Sequence, residues 1–102
     1  MKMELNLMNF QDTIDEIEGY ALVKFWASWC GPCKRYAPTF DKFAEENPQV
    51  KCFSVDAEKE QGLCEEYAVT SIPVTLVFKD GEFKTKVSGI LSVEKLSELT
   101  NG

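Results

Sequence analysis

The chain has 102 residues, 44% of them hydrophobic, which suits one compact domain over residues 1–102 with a core that needs no disulfide staples. Its 11 basic and 17 acidic residues give a formal net charge of −6, a surface that repels phosphate backbones, so no nucleic-acid partner is expected. It contains no histidine, which removes the commonest general base, the usual Cys–His catalytic pair and the commonest zinc ligand.

The first ten residues alternate in polarity and lack the apolar run of a secretory leader, and no apolar stretch is long enough to cross a bilayer. A soluble, cytoplasmic, monomeric protein without membrane partners is expected. In a reducing compartment, cysteines are more often catalytic or metal-binding than structural.

Met3–Leu7 alternates and predicts a short strand. Asn9 suits the N-cap of a helix from Phe10 to about Ile17, with acidic residues in its early turns and Gly19 ending it. Tyr20–Trp26 reads YALVKFW, β-rich and nearly continuous in apolar residues, as in a central strand covered on both faces. Ala27 to Cys33 is a turn that opens a helix, with Pro32 in the first helical turn. Cys33, Tyr36, Ala37, Phe40, Phe43 and Ala44 recur at helical spacing, Pro38 should kink the helix, and Asn47-Pro48 stops it. Val50–Asp56 predicts a strand and Gln61–Tyr67 a short helix. Thr75–Lys79 and Phe83–Ser88 form a hairpin about Asp80-Gly81, and Ser92 caps a last helix with Leu96 and Leu99 inward. The order β-α-β-α-β-α-β-β-α implies an α/β fold with a mixed sheet of about five strands flanked by about four helices, a three-layer sandwich.

Cys30-Gly31-Pro32-Cys33 lies where the buried strand gives way to a helix. Two cysteines three apart on a helical turn can close a disulfide with little backbone motion. The helix N-terminus stabilises a thiolate at Cys30, the more exposed of the two by position, and the thiolate is the nucleophile of disulfide exchange. Cys33, one turn further in, is close enough to attack a mixed disulfide formed at Cys30. A plain structural disulfide and half of a zinc site are the alternatives. Zinc is disfavoured because eleven residues lie between Cys52 and Cys64, which therefore form no second CxxC, so no metal is expected.

Phe25-Trp26-Ala27-Ser28-Trp29-Cys30-Gly31-Pro32-Cys33-Lys34 resembles the thioredoxin active-site signature. The resemblance continues at Ser71-Ile72-Pro73, at Phe78-Lys79-Asp80-Gly81-Glu82 and at Gly89 with the last helix, covering essentially the whole chain. It implies a thioredoxin fold that reduces protein disulfides, with Cys30 as nucleophile, Cys33 as resolving thiol and a redox-active Cys30–Cys33 disulfide in place of a bound cofactor. It implies Trp29 flanking the site, a cis Pro73 against the sulfurs, and Ile72, Pro73 and Gly89 on the flat surface that receives substrate. Electrons would come from NADPH through a thioredoxin reductase. A proline before a strand would otherwise be read as trans, the majority state.

Lys24 stands where typical thioredoxins carry a buried aspartate, and Cys52 falls where the family's partner lysine does. In one reading Lys24 snorkels its ammonium into water. In the other it lies partly buried near Cys33, where a cation favours thiolate, or, if desolvated enough to lose its proton, acts as the base. Lys24 is expected to lower the thiol pKa and to make the couple somewhat more oxidising than a thioredoxin bearing the aspartate. Trp26 is expected to pack beneath the site, Cys52 in or near the core, and Cys64 on a half-buried helix face, open to regulatory oxidation. Glu58, Glu60, Glu65 and Glu66 are read as a solvated face, and Lys34 and Arg35 as solvated cations able to help the Cys30 thiolate. The competing functions are a disulfide oxidase or isomerase and a thioredoxin-like scaffold whose cysteines are incidental.

Overall fold

The computed structural model describes residues 3–101. Among them the elements run β1 (Met3–Glu4), α1 (Leu7–Asp15), β2 (Tyr20–Trp26), α2 (Gly31–Glu46), β3 (Lys51–Asp56), α3 (Gln61–Glu66), β4 (Val74–Lys79), β5 (Glu82–Ser88) and α4 (Val93–Leu99). The strands form one mixed sheet ordered β1-β3-β2-β4-β5, in keeping with the α/β expectation. β3 is parallel to β1 and β2, while β4 is antiparallel to β2 and β5.

Side-chain alternation along β2 feeds two cores. Ala21, Val23 and Phe25 pack with Phe10 and Ile14 of α1 and Leu63 of α3. Leu22 packs on the other face with Tyr36, Phe40 and Phe43 of α2 and Leu96 of α4. These two layers of helix bury β2 from Ala21 to Phe25 and fix the level at which its C-terminal end leaves the sheet.

The N-terminal boundaries differ from the sequence reading. Asn6, not Asn9, is the N-cap of α1: its side chain accepts from the Met8 and Asn9 N–H groups at 2.9 and 3.0 Å. Asn9 Oδ1 accepts in return from the Asn6 N–H at 2.8 Å, completing a capping box. The helix therefore starts at Leu7, its first turn holds no acid, and the strand expected to reach Leu7 stops at Glu4. Gly19 lies beyond the helix end, at φ +83°, in the loop that enters β2. There its N–H donates to Asp80 Oδ1 at 2.7 Å and its carbonyl accepts from the Asp80 N–H at 2.9 Å, tying that loop to the β4–β5 turn. Asp80 and Gly81 both have positive φ, as a two-residue hairpin turn requires. α2 runs on through Pro38 to Glu46.

Polar groups are also buried on the α2 face of the sheet. The Tyr36 and Thr75 hydroxyls share a 2.8 Å hydrogen bond, and both residues are buried. Cys52 is buried beside them, as expected of a small strand residue.

Asn6→Ala is expected to cost about 1 kcal/mol through loss of the cap, read as a lower urea midpoint at unchanged slope. An alkaline limb follows from the buried groups. Burial pushes the Cys52 thiol up to about 11, with the Asp41 charge adding to it, and pushes Tyr36 up to about 12 against its bond to Thr75. Both groups hold protons more tightly folded than unfolded, so their stabilisation is full below about pH 9 and is lost as pH rises through 11 and 12. Urea titrations between pH 8 and 12 should show that decline, on the order of 2 kcal/mol per group, and Cys52→Ala combined with Tyr36→Phe should flatten it.

Candidate active site

β2 ends at Trp26, and a short turn carries the chain to α2. Cys30 is the N-cap of α2, with extended backbone, and its Sγ accepts from the Cys33 N–H at 3.2 Å. Gly31 and Pro32 occupy the first turn, where the missing proline N–H has no intrahelical role. The Cys30 and Cys33 Cα atoms are 5.3 Å apart and the two sulfurs are joined as a disulfide. On reduction, the unpaired N–H groups and partial positive charge of the helix start lie where a Cys30 thiolate would form.

Exposure does not distinguish the two cysteines as the sequence suggested: they are 4% and 3% accessible. Their surroundings do. Cys30 Sγ lies 3.9 Å from the Ile72 carbonyl oxygen, on the side of the exposed Trp29. Cys33 lines a pocket of about 230 Å³ with Lys24, Trp26, Ala27, Ser28 and Lys34.

The loop facing Cys30 has the cis bond that the resemblance implied. The Ile72–Pro73 peptide is cis, and the Gly89 N–H donates to the Pro73 carbonyl at 2.9 Å. Gly89 holds φ +96°, a conformation that favours glycine. Trp29 and Ile72 share an open groove of about 400 Å³ whose wall includes Val69 and the half-buried Cys64. Ile90, which the sequence reading passed over, adds an exposed apolar side chain beside Gly89.

Lys24 is only 3% exposed, so it does not snorkel into water. Its Nζ lies 5.1 Å from the centroid of the Phe40 ring, and it shares the pocket with Cys33. In the sheet Lys24 is in register with Ser54 on β3 and Thr75 on β4. Ser54 is in turn in register with Glu4 on β1, and its hydroxyl donates to a Glu4 carboxylate oxygen. Glu4 also accepts from Trp26 Nε1 at 3.4 Å. A polar row therefore crosses four strands on the α2 face. Its sequence signal was a mid-strand Ser54 and Thr75 within apolar runs, legible only once the register was known.

The remaining candidates fall into place around this centre. Lys34 and Arg35 are exposed, with the Arg35 guanidinium folded back to 3.7 Å from where a Gly31 Cβ would stand. Trp26 is half-buried beneath the site. Glu58, Glu65 and Glu66 are exposed, but Glu60 accepts from the Leu7 N–H at 3.0 Å and so docks the start of α1. The Cys64 thiol is pushed up by burial and then by the charge of Glu65. Among the described residues no three acidic or thiol side chains gather as a metal site, and no helix is long and apolar enough to cross a membrane.

The thioredoxin family model matches residues 1–101. Thioredoxin of Bacillus subtilis is 41% identical over 85 residues, covering 82% of each chain. The chloroplastic M-type thioredoxin of Pisum sativum is 36% identical over 95 residues, which are 92% of this chain and 55% of the pea protein. The chain thus spans about half the length of several of its curated relatives. The X-ray structure of Fasciola hepatica thioredoxin superposes with a TM-score of 0.88 at 30% identity, covering 98% of this chain and 97% of that one. Sequence and backbone agree along nearly the whole described length, and the disulfide sits where the signature put it: the chain belongs to the thioredoxin family.

Proposed function

We propose that this protein reduces disulfides of other proteins by dithiol–disulfide exchange at Cys30 and Cys33. The observation that carries the reading is the Cys30–Cys33 disulfide at the N-terminus of α2, facing the cis-proline loop. In the reduced protein the Cys30 thiolate attacks one sulfur of the substrate disulfide and expels the other as a thiolate, which takes up a proton. Cys33 loses its proton and attacks Cys30 Sγ, and the second substrate thiol leaves. Two electrons have passed to the substrate, and the Cys30–Cys33 disulfide remains.

Trp29, Ile72, Pro73 and Gly89 receive the substrate chain. Trp29 offers exposed apolar area, Ile72 lines the adjoining groove, and the Gly89–Pro73 hydrogen bond holds the loop in place. Gly31 and Pro32 shape the turn, and Trp26 and Lys24 support it from below. A thioredoxin reductase, drawing on NADPH, restores the dithiol. Reading residues 1–102 as one thioredoxin domain is supported by the family match over residues 1–101. A cytoplasmic setting belongs to the same proposal, supported by the bacterial relatives; the pea relative is chloroplastic.

Lys24 gives specific grounds for a second reading, disulfide oxidation or isomerisation. A buried cation beside Cys33 favours thiolate and so stabilises the reduced couple, making it more oxidising.

Reduction of insulin by dithiothreitol, or by NADPH with a thioredoxin reductase, tests the first reading. The wild type should accelerate it and Cys30→Ser should fall to the uncatalysed background; a wild type no faster than background would overturn the proposal. Titration of the active-site thiols tests Lys24. Lys24→Met should raise their midpoint by about one pH unit and make the couple more reducing. Unchanged midpoints would leave Lys24 without a part in the redox chemistry.

A further inference from the structure

The row beneath the site has a member that neither the motif nor the mechanism above uses. Glu4 lies on the edge strand β1, exposed, and two strands away from Lys24. Registered side chains on adjacent strands are about 5 Å apart, so the row Glu4, Ser54, Lys24 spans about 10 Å of sheet. Ser54 is fully buried, and its hydroxyl donates to the Glu4 carboxylate. The second carboxylate oxygen lies 3.4 Å from the Trp26 indole nitrogen, and Trp26 lines the pocket of Cys33 and Lys24. The carboxylate is thus held by two donors toward the same interior that contains the ammonium and the resolving sulfur.

We infer that Glu4 is a positioning residue of the dithiol couple, a counter-charge to Lys24 that acts across Ser54 and Trp26 and limits how strongly the cation favours thiolate at Cys33. The inference rests on reading Cys30 and Cys33 as an exchanging dithiol. Its physics is Coulombic. A positive charge near a thiol lowers the free energy of the thiolate, and a negative charge further off subtracts from that effect. Water does not screen the pair fully, because Lys24, Ser54 and Cys33 are all buried. Two strands of separation make the subtraction partial, leaving the cation dominant. The other charged or titratable groups on this side are Cys52 and, in register with Trp26, Asp56 on β3; Tyr36 and Asp41 on α2; and Lys34 at the pocket wall. Their contributions stay the same when Glu4 alone is changed. β4 contributes Thr75, which does not titrate.

The test is thiol titration and equilibration with glutathione, on wild type, Glu4→Gln, Lys24→Met and the double variant. Glutamine keeps the shape of Glu4 and an oxygen for Ser54 or Trp26, so a purely structural bond leaves the titration where it was. Glu4→Gln is expected to lower the Cys33 midpoint and to shift the glutathione equilibrium toward the dithiol by at least about threefold, and Lys24→Met to move both the other way. The double variant should lie between the two single ones. A Glu4→Gln protein that titrates like wild type overturns the inference. So does one that shifts in the same direction as Lys24→Met, because Glu4 would then be sustaining the charge of Lys24 rather than opposing its field. Neither readout requires catalytic turnover. Failure to reduce insulin would count against the proposed function, and an unmoved titration against Glu4.

Discussion

β2 lies in the middle of the sheet with helices over both faces, so every residue from Ala21 to Phe25 is buried whatever its chemistry. Four of those five are apolar and drive the burial; Lys24 is carried with them. Removing an ammonium from water costs several kcal/mol even after relaxation. The surroundings offset part of this. The face of Phe40 attracts a cation, and the registered Ser54 and Thr75 bring hydroxyl dipoles into an otherwise apolar layer. The fold as a whole also holds it there, because Lys24 cannot leave the interior without withdrawing Val23 and Phe25 from the opposite core.

The same strand aims the chemistry. It releases the chain at Trp26, one turn below the start of α2, so Cys30 arrives as a helix cap and Cys33 faces back toward the sheet. Two sources of positive potential then act on one pair of sulfurs: the N-terminus of α2 from above and Lys24 from below. A disulfide is neutral and gains little from either, whereas a thiolate gains from both. Positive potential at this place therefore stabilises the reduced protein alone. An aspartate at position 24 would act in the opposite sense. One residue in the central strand can reverse the electrostatic bias of the couple while the backbone keeps a thioredoxin course.

Much of this was legible in the sequence because local and long-range signals agreed. The apolar run of Tyr20–Trp26, the Asp80-Gly81 turn and the CxxC at a strand-to-helix junction each have short-range causes. The start of α1 was misread because two asparagines three apart both make good caps. The reciprocal bonding of Asn6 and Asn9, which makes Asn6 the cap and Asn9 its partner, is a three-dimensional fact. The burial of Lys24 could be posed as two alternatives but not decided, since it depends on what α2 places over that face. The link from Glu4 to Ser54 was beyond reach for a different reason. Fifty residues separate them, and only the register of a parallel pair, which follows from how the whole sheet assembles, brings them side by side.

Replacing the family's aspartate also changes where a proton can go. Resolution requires Cys33 to lose its proton, and a protonated Lys24 has no lone pair with which to accept it. The pocket between Lys24 and Cys33 supplies another route. It measures about 230 Å³ and reaches the surface at the exposed Ser28 and Lys34. A proton leaving Cys33 can pass to water there, while the ammonium stabilises the thiolate left behind. On the proposed exchange, a protonated Lys24 would then assist resolution through its field rather than by carrying a proton. The rate of resolution should follow the charge on residue 24 more closely than its capacity to act as a base.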